Sequence, residues 1–249
     1  FTGVDNALLN ALMEEHNDRD ICRISSVVGG TNAYINDCFR QNHRDRVTQY
    51  IYIPDDVFDE NGLYEFVGRY INAMSLPVDR ISEWVNNKAL PGEYPVHEVV
   101  QGNDWEYIDI PHGKKLCLYP FTKNSIKYLY KNELTKGHQT PRYIIRDIIE
   151  PVVSDLLYNE TNFPSKKYAL VNINTTLNFM VHNQIQDEEL ADRVFCFMSI
   201  WGNNEAKEFT YDSITYIAGL PTYVYKEFGM PIVNLQKADS GSGIKPTPN

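Results

Sequence analysis

Three short clusters carry the side chains best suited to handling an anion. Gly29, Gly30, Thr31 and Asn32 (GGTN) follow an apolar run. Arg40, Arg44 and Arg46 crowd into FRQNHRDR at residues 39–46, and Gly137, Thr140 and Arg142 belong to GHQTPR at residues 137–142. A guanidinium is a permanent, fork-shaped cation that meets two oxygens at once, and a carboxamide both donates and accepts hydrogen bonds. Plainer readings stand beside these. Asn32 after Gly-Gly is a common turn residue, the arginines lie close to Asp37 and Asp45 and can make surface ion pairs of small value, and an exposed arginine in a first helical turn is ordinary.

Other chemistries find few residues. The adjacent acids Glu14-Glu15, Asp55-Asp56 and Glu188-Glu189 fall on expected caps, loops or helix starts, and no GxSxG elbow, GxxxxGK[ST] loop or hydrophobic run ending in paired acids occurs. The six histidines show no ligand spacing, so no metal site is expected. Cys22, Cys38, Cys117 and Cys196 form no CxxC pair, which suits reduced, buried thiols in a cytoplasmic protein. Thirty-three acids against 23 Lys and Arg leave a net charge of −10, so the surface as a whole repels a nucleic-acid backbone. With 43% hydrophobic residues the chain can build a core, and no apolar run approaches the roughly 20 residues that a membrane span needs.

The elements that must position the clusters are expected as follows. A helix at 5–15 and a buried strand at 21–28 precede Asn32; a short helix covers 33–39 and a second strand 47–53, an alternation that argues for part of a parallel α/β sheet. From Gly62 the period becomes helical, with Leu63, Phe66, Val67, Tyr70, Ile71 and Met74 on one face, and a further helix spans 78–87. Strands at 96–100, 105–110 and 115–118 read as an inserted β meander. Helices follow at 122–134, closed by Gly137, and at 141–158, with Thr140 as N-cap, Pro141 at the first helical position and a kink at Pro151. The final stretch reads as a small α+β module: a restart at 168–185, a helix at 188–201, a polar turn at 202–207, a strand at 213–218 and a helix at 221–228. Residues 238–249, rich in Ser, Gly and Pro, read as a loose tail. The fold class is mixed, helix-rich α/β, divided at 1–60, 61–163, 164–237 and 238–249.

Taken in order, GGTN, FRQNHRDR and GHQTPR resemble the second half of a AAA+ ATPase module. The resemblance covers roughly residues 1–158. It implies sensor 1 at Asn32, an arginine finger at Arg44 or Arg46, and a sensor 2 arginine at Arg142 in a lid whose Gly137 and Thr140 shape the nucleotide contact. It implies ATP and Mg as cofactors of a longer, oligomeric parent, in which a side chain from the sheet and one from the lid converge on the terminal phosphate. Lacking both Walker motifs, this chain should not hydrolyse ATP alone, and tight nucleotide binding is not expected. FTGVDNALLNALMEEH at 1–16, LYPFT at 118–122 and TPRYIIRDIIEPV at 140–152 look like large bacterial ATPases of phage-defence and DNA-restriction systems.

Two further readings stay open. One is a non-enzymatic module that binds a protein partner. The other is a winged-helix-like DNA reader in the last module, against which the acids Asp187, Glu188, Glu189 and Asp192 weigh. Tyr128 and Tyr130 interleave with Lys123, Lys127 and Lys131, as in a base-stacking strip, but at helical spacing these lysines make an ordinary solvent face.

Overall fold

In the computed structural model, residues 27–39, 41–52, 58–98, 105–165 and 168–237 are described, and the chain divides into two units, Phe1–Pro54 and Asp55–Asn249. In the first unit, helix α1 (Asn32–Cys38) begins where Thr31 leaves extended geometry and its hydroxyl accepts the Tyr34 N–H at 3.2 Å. A single turn, α2 (Gln41–Arg44), follows. The expected strand at 47–53 does not form over its described part. Residues 47–52 are irregular, with Ile51 78% and Tyr52 66% exposed, because an apolar, β-branched run becomes a strand only when a neighbouring edge takes its hydrogen bonds. The expected helix at 5–15 and most of the strand at 21–28 lie outside the described residues; Val27 and Val28 are exposed and irregular.

The second unit opens with α3 (Glu60–Ser75), whose Asp59 carboxylate accepts the Gly62 N–H at 2.6 Å. Its buried face carries Leu63, Tyr64, Val67, Gly68, Ile71 and Asn72. Against that face packs an antiparallel hairpin, β1 (Tyr107–Ile110) and β2 (Lys114–Cys117), registered Ile108 to Leu116. Gly68 permits the approach: a Cβ there would lie 2.9 Å from Ile108 Cδ1. Among the described residues the expected meander shows two strands: residues 96–98 are irregular and are held by Asn72, which donates to the Pro95 carbonyl and accepts the His97 N–H, and the rest of the expected strand at 96–100 lies outside the described residues. Between them lies α4 (Val78–Asn86), which buries no residue.

Helix α5 (Lys123–Asn132) starts at a capping box. Thr122 Oγ1 accepts the Ser125 N–H, and Ser125 Oγ accepts the Thr122 N–H. It ends at Asn132, earlier than expected, and Gly137 lies in a separate 3₁₀ turn, Lys136–His138. The long helix α6 runs as Pro141–Tyr143, a π segment Ile144–Ile149, and Glu150–Tyr158. The kink expected at Pro151 is thus a widened turn just before it. Proline offers no N–H and its ring crowds the carbonyl one turn back; in the π segment the Glu150 N–H reaches Ile145 O, five residues away.

Helices α7 (Thr175–Gln184) and α8 (Glu188–Ile200) are capped by Asn174 and Asp187, each of whose side chains accepts two backbone N–H groups. A mixed sheet of order β5-β4-β3-β6 closes the unit, from β3 (Lys207–Tyr211), β4 (Ile214–Ile217), β5 (Leu220–Pro221) and β6 (Gln236–Lys237), with α9 (Thr222–Glu227) after β5. Only β3 and β6 pair in parallel. Helix α8 is the centre: Ala191, Val194, Phe195, Cys196, Phe197, Met198 and Ile200 are all buried, and one core runs from Leu63 to Leu235 through both the expected lid and the expected C-terminal module. The aromatic richness goes here. Phe163 meets Trp201 edge-on at 5.3 Å and Phe228 at 4.8 Å, and Phe197 meets Tyr225 at 5.6 Å. Among the described residues no helix is long and apolar enough to cross a membrane.

Candidate functional site

Asn32 is the first residue of α1, not the tip of a strand, because Thr31 caps the helix directly before it. The Arg44 guanidinium lies at the opposite end of that helix, donating to Phe39 O at 3.2 Å and Ile35 O at 3.4 Å. It adds a cation at the C-terminal end of α1, where Ile35 O already accepts the Phe39 N–H at 3.1 Å. Arg46 is exposed in the turn after α2, with its N–H on His43 O.

Thr140 occupies the N-cap position of α6, but its side chain makes no capping bond; its carbonyl accepts the Tyr143 and Ile144 N–H groups instead. Gln139 pins the segment to α5, donating to Tyr130 O while accepting from the Tyr130 hydroxyl, and the His138 ring stacks on Tyr143 at 4.0 Å. Gly137 is exposed and has nothing within 4 Å of a Cβ position, so no steric need for glycine exists there. Arg142 is exposed in the first turn of α6 and makes no hydrogen bond or ion pair with the described residues.

A concavity lies elsewhere, between α5 and the corner that follows α8. It is a cleft of about 400 Å³ lined by Asn124, Lys127, Tyr128, Lys131 and Asn132 from α5, and by Asn172, Ser199, Asn203, Asn204 and Glu205. Asparagine builds its far wall. Asn172 and Asn204 have positive φ, 59° and 57°, which asparagine tolerates better than other side chains bearing a Cβ. Asn204 Nδ2 donates to Asn172 O at 3.0 Å, and Asn174 Nδ2 donates to Asn204 O at 2.8 Å. On the near wall the Tyr128 hydroxyl donates to Ala169 O and accepts the Val171 N–H; burial raises its pKa. Lys127 and Lys131 both face Glu60, at 2.9 and 4.0 Å, and the lysine contact holds the Glu60 carboxyl below its ordinary value.

Gly202 makes the corner possible. A Cβ there would collide with the backbone oxygens of Ala218 and Met198, while its N–H reaches Phe197 O and the next residue's N–H meets Ala218 O. Two oxygens of residues beside the cleft, Ser199 Oγ and Asn204 Oδ1, are shut off from solvent and have no hydrogen-bond partner among the described residues. The sequence holds a signal for this wall in VNINTT at 171–176 and GNN at 202–204; its weakness is that asparagine runs read equally well as turns.

A second concavity of about 710 Å³ surrounds Arg193, which donates to Thr161 O, Asn162 Oδ1 and Phe228 O. Burial lowers the Arg193 pKa. Its role is to clasp loops. The described thiols are free: Cys196 is buried, its pKa pushed up to about 12 by burial, and Cys117 is half-buried and also raised by burial. Cys22 lies outside the described residues, as does the side chain of Cys38. Among the described residues no group of three His, Cys, Asp or Glu is placed to hold a metal ion. Comparison with family models, with curated proteins and with solved structures finds no match to this chain.

Proposed function

We propose that this chain is an interaction module that docks a protein partner through α4. One observation carries the reading: α4 presents Val78, Ile81 and Val85 at helical spacing, buries none of its residues, and leaves Val78 82% and Val85 55% exposed. Met74 before it and Leu90 after it are exposed as well. An apolar stripe that contributes nothing to its own core is suited to a partner's surface. A photo-crosslinking residue at Ser82 tests this in cells. A single adduct that vanishes in Val78→Lys/Val85→Lys, with melting temperature unchanged, is expected; an adduct indifferent to those lysines overturns the reading.

A second reading retains the AAA+ resemblance, with this chain as the sensor, lid and C-terminal part of an oligomeric ATPase in a DNA-associated or phage-defence complex. Exposed, unengaged Arg142 at a helix start supports it, since that side chain could meet a nucleotide phosphate. Arg44, committed to the α1 carbonyls, does not fit a finger as placed. In this reading bound ATP with Mg supplies the phosphoryl chemistry. Nucleotide turnover by the longer parent, compared with its Arg142→Ala variant, decides: equal turnover removes the sensor role. The winged-helix reading gains no support, because the exposed positions of α8, the helix before the β3–β4 hairpin, are the acids Glu188, Glu189 and Asp192, which a DNA backbone repels.

A further inference from the structure

We propose, independently of docking through α4, that residues 48–52 pair with the same residues of a second copy of this chain, as an antiparallel two-stranded ribbon across a twofold axis at Tyr50. The stretch is exposed, its backbone is unspent, and its sequence is its own complement.

Thr48, Gln49, Tyr50, Ile51 and Tyr52 are all exposed, and none belongs to a helix or strand. Apart from the Tyr50 hydroxyl, which donates to Arg44 O at 3.4 Å, these residues make no hydrogen bond among the described residues. Their N–H and C=O groups are left to water. Residue type favours a strand all the same. Val47 to Tyr52 holds β-branched and aromatic side chains with no glycine, proline or charge, which is the composition of segments that pair with copies of themselves.

A second copy fits this stretch in charge and in register. With a net charge of −10 two copies repel as wholes, so a contact between them is least opposed where it brings no charges together, as here. An antiparallel register centred on Tyr50 sets that residue against its own counterpart, Tyr52 against Thr48 twice and Ile51 against Gln49 twice. One face of the ribbon then carries Thr48, Tyr50 and Tyr52, so aromatic side chains meet aromatic or β-branched ones across the strands. The open N–H groups of each copy meet the open C=O groups of the other. A ribbon this short makes a small interface, so the pairing is weak and reversible.

Analytical ultracentrifugation of the full chain from micromolar to millimolar concentration tests this. A reversible monomer–dimer equilibrium is expected, with amide exchange at residues 48–52 slowing as the dimer forms. Because Tyr50 lies on the axis and faces itself, Tyr50→Lys and Tyr50→Glu should each raise the dissociation constant at least about tenfold, and an equimolar mixture of the two should return it to within about threefold of wild type. Tyr50 is 59% exposed and outside the core, so each variant should keep the wild-type melting temperature. A chain that stays monomeric, a dimer indifferent to either substitution, a mixture no tighter than its components, or species growing beyond the dimer would each overturn the proposal. None of these outcomes bears on crosslinking at Ser82.

Discussion

Thr122 and Trp201, 79 positions apart, are joined by a 2.7 Å hydrogen bond from the threonine hydroxyl to the tryptophan carbonyl. The same hydroxyl accepts the Ser125 N–H at the start of α5, so one oxygen caps a helix and ties it to the end of α8. Trp201 returns a bond of its own, Nε1 to Pro120 O at 2.9 Å. The cleft is built on this junction, because Asn124 follows the cap by two residues and Gly202 follows the tryptophan by one. Asn124 Nδ2 donates to Gly202 O at 2.9 Å.

Removing that hydroxyl loses a cap and strands a buried carbonyl. Thr122→Ala should destabilise the protein by about 2–4 kcal/mol, the sum of about 1 for the cap and 1–3 for the unpaired acceptor. Thr122→Ser should stay within about 1 kcal/mol of wild type, since it keeps the hydroxyl and loses one methyl group. Urea unfolding followed by tryptophan fluorescence measures both.

Gly202→Ala puts a methyl group against two backbone oxygens that cannot rotate away. A loss of about 3 kcal/mol or more is expected, with a lowered denaturation midpoint and altered amide shifts at Asn203 and Asn204. Gly137→Ala meets open space and should be neutral or slightly stabilising.

The two sequence-singled arginines should part company. Arg44→Ala takes the guanidinium from Phe39 O and leaves Ile35 O with the Phe39 N–H alone, and should loosen the C-terminal end of α1, seen as faster amide exchange over residues 35–39. Arg142→Ala removes an exposed side chain with no protein partner and should change stability by less than about 0.5 kcal/mol.

Alkaline pH should unfold the protein through its tyrosines. Burial, with Glu60 and Glu106 adding to it, raises Tyr64 from 10.0 to about 12, and burial pushes Tyr168 and Tyr225 up as well. A phenol that holds its proton more tightly when folded stabilises the fold fully below its unfolded pKa. That stabilisation is lost as pH rises through the folded value, here from about pH 10 to about 12 for Tyr64. Melting temperature should therefore fall above about pH 10, and part of the tyrosinate absorbance should appear only with unfolding.

Cys196 has its pKa raised to about 12 by burial, so the reactive thiolate is scarce near neutrality. Labelling with a thiol reagent at about pH 8 should follow the unfolding rate of the protein, and denaturant should expose the residue at once. Prompt labelling of the native chain at Cys196 would contradict its placement.

The local rules of the chain settled most helices. The apolar face of α3, the stripe of α6 and the acidic start of α8 each follow from spacing within one turn or two, where helical hydrogen bonds need no distant partner. The strand expected at 47–53 had the right residues, yet none forms over 47–52, since a strand depends on an edge that sequence does not announce. The hairpin β1–β2 formed where its turn chemistry and two buried faces coincided, and β3 at Lys207–Tyr211 went unforeseen because only pairing with β4 and β6 defines it.

The anion-handling residues were chosen by type, and type says nothing about what a side chain has already bonded. Arg44 turned out to serve its own helix, while Asn204, read only as part of a polar turn, became the wall of a cleft. Composition and periodicity determined a helix-rich mixed fold, because burial of apolar area is a sum over residues; that one core joins the regions expected at 61–163 and 164–237 is a matter of tertiary structure. Tertiary structure alone decided which polar groups were left without partners, because hydrogen bonding is a matter of pairs, and the pairs here lie 30 to 80 residues apart: Asn174 with Asn204, Asn124 with Gly202, Thr122 with Trp201.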